Sequence, residues 1–427
     1  MYRISKSTLS GDFMIPSSKS QTLRAILFAA LASGISQIDE FLDSPDTEAM
    51  IQAVVSLGAT VERKPRTLLI QGIGGIPKVA EDVIQCGNSG IVLRFIGALA
   101  GLIPQCTVLT GDASIRHNRL ASPLLDALNQ LGARAESSRG DGFAPIVIKG
   151  PITKSLATID GADSQPVSGL LIAAAFANHP IEIHVRNPGE KPWIDLTLSW
   201  FDRLGIQYQR KGYESYKMKG GSIIGPFTYR VPGDFSSAAF PIAAALITGS
   251  KITLHNIDMN ECQGDKAIIP ILQQMGARFT IGDNQLTVEK SGRLEGIRVD
   301  LNECVDALPI LSVIGCFSSG KTEIVGAAIA RNKESDRIHC IAKELKKMGA
   351  NIEENTDGLL IHSSDLHGSL LASHQDHRLL FSLSVAAMAA SGDSIILGVA
   401  CGAKTMPHFY EDFLAIGANI ELDSVRL

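Results

Sequence analysis

The sequence predicts an α/β protein built from six copies of one helix-and-strand unit, arranged as two halves of three. Three observations carry this. First, a helix-like run ending in Leu/Met/Ile-Gly and followed by a short alternating stretch recurs as SLGATVE, QLGARAE, RLGIQYQ, QMGARFT, KMGANIE and AIGANIE. Its glycines, Gly58, Gly132, Gly205, Gly276, Gly349 and Gly417, follow one another at 68 to 74 residues. Second, an Ala-rich run, a Gly or Asn and an alternating apolar stretch recur at Gly34, Gly101, Asn178, Gly249, Gly320 and Gly392, 67 to 77 residues apart. Two markers keeping one period along the chain identify a structural repeat. Third, the first helix of each copy is apolar almost all round, which places it in a core and not at a surface.

In the first copy, SQTLRAILFAALASG has apolar residues at three- and four-residue steps, so it reads as a helix with Gly34 as its stop. ISQIDEF alternates as a strand. DTEAMIQAVVSLG begins after the capping signal Asp43-Ser44 and stops at Gly58, and ATVERK and TLLIQG read as paired strands. Later copies repeat the scheme, with FSSAAFPIAAALITG before KITLHNI and DHRLLFSLSVAAMAASG before SIILGVA. The break between halves falls near RVPGD, where Pro232-Gly233 punctuates the chain; the matching point ahead of the first helix is IPSSK. The predicted domains are 18–232, and 1–17 together with 233–427, with the strand YRISK in the C-terminal half.

With 427 residues, 45% of them hydrophobic, the chain can bury a sizeable core. A net charge of −5 supplies no basic footprint, which argues against a nucleic-acid partner. No run approaches the roughly 20 apolar residues needed to cross a bilayer. The start MYRISKSTLSGDF lacks the apolar core of a signal peptide, so the expectation is a cytoplasmic protein without a membrane partner. Seven cysteines show no CxxC or other metal-ligand spacing, so no metal site is expected.

Chemistry emerges where the copies differ. Ahead of the first helices they read SSKSQTLR, CGNSG, ADSQ, PGDFSS, VDALP and QDHR; ahead of the second, DSPDTE, HNRL, KPWID, QGDK, RNKESDR and GAKTMP. Free N–H groups and a positive dipole end make helix N-termini attractive to anions, and lysine or arginine placed there strengthens the attraction. Taken alone, KESDR reads as a solvated helix face, PSSKS as a turn and N-cap, and GNSG as a turn. Their shared structural address favours an anion site instead. Gly315–Thr322 fits the P-loop pattern GxxxxGK(S/T), but an apolar helix enters it and a strand leaves, the reverse of the order that cradles phosphate.

The motifs PSSKSQTLRAILFAALASG, CGNSGIVLR, NKESDR, DHR and CGAKTMP, in this order, resemble the 3-phosphoshikimate 1-carboxyvinyltransferase (EPSP synthase) family across essentially the whole chain. The resemblance implies a two-domain inside-out α/β barrel, or β/α prism, of six βαβαββ repeats, three per domain, with the active site in the interdomain cleft. It implies transfer of the enolpyruvyl group of phosphoenolpyruvate to the 5-hydroxyl of shikimate 3-phosphate, with release of phosphate. Neither metal nor organic cofactor is implied; the partners are these small molecules, and the chain is expected to be a monomer.

Carried over by position, Asp306 takes the hydroxyl proton, with Lys333 beside it, and Glu334 exchanges a proton with the methylene carbon. Lys19 touches both substrates and counts with the catalytic set. Ser20, Arg24, Ser164, Gln165, Trp193, Asp306 and Lys333 join Lys19 on shikimate 3-phosphate. Gly90, Arg119, Gln165, Arg337, Arg378 and Lys404 join it on phosphoenolpyruvate, and His377 supports Arg378. Departures from the family pattern are Asp163 where a phosphate-binding Ser is usual, Trp193 for Tyr, Arg119-Leu120 for Arg-Pro with Arg116 as a rival, Ile91 and Phe95 after Gly90, and Ile329 for Asn. Asp163 is expected to repel the phosphate unless it turns away. Two rivals stand beside this reading. One is transfer to UDP-N-acetylglucosamine, whose enzymes usually carry a reactive Cys on the loop corresponding to GDASIRHNRL, which has none; the other is a non-catalytic anion-binding relative.

Overall fold

The computed structural model of the chain describes residues 1–423. Its helices are α1 (Lys19–Leu31), α2 (Pro45–Ser56), α3 (Gly90–Ala100), α4 (Ala113–His117), α5 (Ser122–Gln130), α6 (Ser164–Phe176), α7 (Lys191–Leu204), α8 (Phe235–Ile247), α9 (Ile268–Gln274), α10 (Leu308–Phe317), α11 (Arg337–Lys347), α12 (His377–Ala389) and α13 (Phe409–Ala415). The first glycine series ends α2, α5, α7, α9, α11 and α13. All six of its members take φ between 71 and 105°, the left-handed conformation that closes a helix C-terminus without a Cβ clash.

The second series behaves differently from a simple stop. α1 ends at Ala32, whose backbone is extended, and Gly34 (φ 93°) lies two residues further on, turning the chain into the strand Ile35–Asp39. α10 and α12 likewise close on extended Ser318 and Ala390, ahead of Gly320 and Gly392. Only at Gly249 does the glycine follow its helix cap directly, and Gly101 caps α3 in ordinary right-handed geometry. The repeat therefore marks the helix-to-strand corner. The P-loop lookalike keeps the order expected of it, α10 entering and the strand Lys321–Val325 leaving.

Six four-stranded sheets share one topology. In the second copy, Ile84–Gln85 runs parallel to Cys106–Thr110, which is antiparallel to Ile146–Lys149, itself antiparallel to Arg134–Ser137. With α3 and α5 interposed, the unit is βαβαββ. In the first copy the parallel strand is Thr228–Arg230, from the end of the third copy, lying beside Ile35–Asp39. In the fourth it is Ser10–Met14, beside Lys251–His255, an early strand the sequence reading leaves out. The strand within YRISK, Tyr2–Ile4, pairs with both Ser394–Leu397 and Ile420–Leu422.

Packing divides the chain into two compact units, Ser18–Val231 and Met1–Ser17 with Pro232–Leu427. Each has its own hydrophobic core. α1, α3 and α6 are buried on nearly every face in one unit, and α8, α10 and α12 in the other. Leu23, Ile26, Leu27 and Phe28 on α1 are wholly enclosed, each worth about 1.5–3 kcal/mol relative to exposure. Such helices hold their N-termini rigidly, and those termini carry the polar residues. Among the described residues no helix is long and apolar enough to cross a membrane.

Candidate active site

In the unit containing α8 to α13, Arg337 opens α11 and is buried among three carboxylates. Its Nε and Nη2 reach Asp376 Oδ2 and Oδ1 at 2.8 and 3.2 Å, its Nη1 reaches Asp306 Oδ1 at 2.7 Å, and its Nη2 reaches Glu334 Oε2 at 2.7 Å. Lys404 Nζ holds the other oxygen of Glu334 at 2.9 Å, and Arg378 Nη2 holds Asp306 Oδ2 at 3.2 Å. Lys404 ends a 3-10 segment, Val399–Lys404, and does not open a helix. Lys333, Glu334 and Arg337 are all buried, so KESDR is not a solvated face.

Local structure fixes these groups. Asp376 caps α12 by accepting from the Arg378 N–H at 2.9 Å, while its carboxylate faces Arg337. Asp336 caps α11 through His339 N–H. His377, buried, lies edge-on to Phe381 with Nδ1 3.8 Å from Asp376 Oδ1. Burial raises the Asp306 pKa, but the charges of Arg378, Arg337 and Lys333 outweigh it and hold the carboxyl well below the usual range. Burial lowers the Arg337 pKa, and Asp376, Glu334 and Asp306 more than reverse this, leaving it well above the ordinary value. Asp306 is therefore ionised, with its side chain 23% exposed. Ile329 packs part-buried against this unit's core.

In the other unit, Ser18 caps α1, so Lys19, Ser20 and Arg24 occupy its first two turns. Arg24 donates to Thr197 Oγ1 through Nε and Nη2 (3.1 and 3.0 Å), to the Ser20 carbonyl and to the Trp193 carbonyl, and lies 5.2 Å from the Phe95 ring centroid. Phe95, unexpected at the sequence level, thus serves as a platform for a buried guanidinium. Lys19 Nζ lies 3.7 Å from Asp46.

Arg94, to which the sequence reading gives no role, organises the rest. It donates to the Gly90 carbonyl, Gln165 Oε1 (3.3 Å) and the Leu120 carbonyl (3.0 Å), and pairs with Asp163 at 3.1 Å. Asp163 also caps α6 through Gln165 N–H. Its charge is accordingly matched by Arg94, which answers the expected repulsion. A Cβ at Gly90 would lie 2.7 Å from Arg94 Nη1, 3.0 Å from Gln165 Oε1 and 3.6 Å from Arg119 Nε. Arg119 is thereby close to Gly90, whereas Arg116 is turned to the Gly111 carbonyl. One arrangement runs against the assignment of Ser164 to phosphate: Glu190, 2% exposed, takes both the Ser164 N–H and its hydroxyl at 3.1 Å.

The missed groups share a cause. Arg94 falls within an apolar helical run, Thr197 meets Arg24 across repeats, and Glu190 meets Ser164 from the other helix entrance of its own repeat, none of which a local pattern reveals. Asp376 and Asp163 stand in the helix entrances QDHR and ADSQ, and their capping roles emerge only in the structure.

The six βαβαββ units are an architecture shared with solved EPSP synthases. EPSP synthase from Acinetobacter baumannii superposes with a TM-score of 0.83 at 28% identity, covering 99% of both chains. The enolpyruvyl transferase NikO from Streptomyces tendae shares the fold, with a TM-score of 0.78 at 18% identity over 100% of this chain and 99% of that one. The family model for EPSP synthase (3-phosphoshikimate 1-carboxyvinyltransferase) matches residues 4–413. The 3-phosphoshikimate 1-carboxyvinyltransferases of Acetivibrio thermocellus and Chlamydia pneumoniae are 41% and 42% identical, covering 98% of this chain and 99% and 94% of theirs. The chain belongs to the EPSP synthase family.

Proposed function

We propose that this chain transfers the enolpyruvyl group of phosphoenolpyruvate to the 5-hydroxyl of shikimate 3-phosphate, releasing phosphate. The observation that carries the reading is the buried cluster in which Arg337, Arg378 and Lys404 hold Asp306 and Glu334. Phosphoenolpyruvate brings a carboxylate and a phosphate, and these take over Arg337, Arg378 and Lys404 from the internal carboxylates. Asp306 then accepts the 5-hydroxyl proton as the oxygen bonds to the central carbon of the donor. Glu334 delivers a proton to the methylene carbon and later removes one as the carbon–phosphate-oxygen bond breaks, so that the enol double bond reforms. Lys19, Gly90, Arg119 and Gln165 complete the donor set, and Lys19, Ser20, Arg24, Ser164, Gln165, Trp193 and Lys333 the acceptor set.

Arg94 supports both by fixing Gly90 and Gln165. For Ser164 to receive the substrate phosphate, Glu190 must give way.

The test is phosphate release on mixing the purified protein with both substrates. Release with UDP-N-acetylglucosamine in place of shikimate 3-phosphate, and none with the latter, overturns the acceptor; silence with both leaves only anion binding. Asp306→Asn and Glu334→Gln are expected to abolish turnover while keeping shikimate 3-phosphate binding within about tenfold.

A further inference from the structure

We propose that Asp265 is a positioning residue for this reaction: through Ser236 it fixes the first turn of α8, whose Ser236 carbonyl keeps Arg378 on Asp306. The inference rests on the reading above, in which Asp306 takes the hydroxyl proton and Arg378 binds the donor.

Asp265 lies in the short 3-10 segment Gly264–Ala267 and is buried. The Ser236 hydroxyl donates to its Oδ2. Just ahead of that segment, Gln263 accepts from Phe235 N–H at 3.0 Å and donates to the Gly233 carbonyl at 2.8 Å. Asp234 caps the helix through Ser236 N–H at 3.1 Å. The turn is thus gripped from both sides. Its product is one carbonyl: Ser236 O accepts from Arg378 Nη1 at 2.9 Å, while Nη2 of the same guanidinium meets Asp306 at 3.2 Å. Moving the turn moves Arg378.

Geometry alone would be served by any hydrogen-bond acceptor, so the carboxyl needs a further reason. Its Oδ1 is buried with no hydrogen-bond partner among the described residues, a costly place for an anion. Lys266 does not neutralise it, donating instead to the carbonyls of Met259 and Glu261. Asp306 and Asp234 act on it as like charges and Arg378 as an opposite one, and the Cys304 thiol feels its charge in turn. Burial first, then the charge of Asp306, push its pKa up to about 7, against Arg378 and the Ser236 hydroxyl. Protonated, Asp265 leaves Arg378 to Asp306. Ionised, it competes with Asp306 for the same guanidinium.

The experiment compares full-length wild type with Asp265→Asn, Asp265→Ala and Ser236→Ala, using thermal melting to confirm folding. Steady-state kinetics by phosphate release are measured from pH 5.5 to 8.5, together with the guanidinium 15N NMR signal of Arg378, assigned with Arg378→Lys. Asp265→Ala and Ser236→Ala are expected to raise the KM for phosphoenolpyruvate and lower kcat, about tenfold in kcat/KM, with Asp265→Asn restoring most of the loss. The Arg378 signal is expected to titrate near pH 7 in wild type and to lose that step in Asp265→Asn. Folded alanine variants within twofold of wild type overturn the proposal, as does an Arg378 titration unchanged in Asp265→Asn. The NMR arm needs no turnover, so an inactive wild type removes the assigned reaction while the link to Arg378 is still decided.

Discussion

Arg337 and Asp376 meet through two nitrogen–oxygen contacts of 2.8 and 3.2 Å, with side chains only 1% and 0% exposed. Such a two-point pairing fixes the plane of the guanidinium as well as its distance. Asp306 takes Nη1 and Glu334 shares Nη2 with Asp376, so Asp376 holds the residue that both other carboxylates use. Removing Asp376 takes away this two-point anchor and the α12 cap while leaving Arg337 to Asp306 and Glu334. Asp376→Ala is therefore expected to destabilise its unit by about 2.5–4 kcal/mol, from about 1.5–3 kcal/mol for the hydrogen bonds to a charged group and about 1 kcal/mol for the lost α12 cap. Urea unfolding followed by circular dichroism measures this, and a loss below about 1 kcal/mol would refute the pair's structural weight.

Gly90→Ala probes a different constraint. The backbone there is ordinary helix, so strain plays no part; the added methyl meets Arg94 and Gln165 instead. Arg94 is buried and tied to Leu120 and Asp163, leaving it little room to retreat. The KM for phosphoenolpyruvate should rise about tenfold or more, since small displacements of positioning groups are expensive. The melting temperature should fall by a few degrees, since overpacking against a fixed side chain costs about 1–3 kcal/mol. An unchanged KM would mean that Arg94 and Gln165 yield freely.

Glu190 offers a prediction of definite sign. Its carboxylate already fills the donors of Ser164, and its own backbone sits at φ 45°. If it competes with the substrate phosphate, Glu190→Ala binds shikimate 3-phosphate about tenfold tighter, or about 1.4 kcal/mol. Calorimetric titration at pH 7 decides the matter: weaker binding would show that Glu190 supports the acceptor site.

Asp265 also sets a pH dependence of stability. Its folded pKa of about 7 exceeds the unfolded value of roughly 3.9, so between these values the folded state binds more protons. Stability from this group is complete below pH about 4 and lost as pH rises through about 7. Asp265→Asn, which cannot ionise, should gain on wild type between pH 5 and 8 in urea unfolding. A constant difference across that range would show that the group does not titrate there.

What could be read from the sequence followed from periodicity. The first glycine series marks six helix ends because each needs a left-handed residue, and glycine supplies it most cheaply. The buried helices were visible as apolar faces without a polar stripe. Helix entrances drew attention to Lys19, Arg337, Arg378 and Asp306 because their charges interrupt a repeat. Arg94 interrupts nothing: one arginine in GIVLRFIGALA reads as an exception, and only its contacts from α6 and the Leu120 carbonyl reveal its use. Glu190 was likewise silent, and Asp265, though it stands in the entrance QGDK, showed no sign of its use, since their partners lie 26 and 29 residues away. The placing of Gly34 after the end of α1 was missed because an extended cap leaves no mark in composition.

The strands Tyr2–Ile4 and Ser10–Met14 complete sheets whose other members begin at Lys251 and end at Leu422. The strand Thr228–Arg230, by contrast, completes a sheet within its own contiguous unit. On a ribosome this reverses the apparent order of events. The stretch 18–231 holds every strand it needs once residue 231 has emerged. Residues 1–17, made ahead of that stretch, must wait until Leu422 has emerged before both their strands are fully paired.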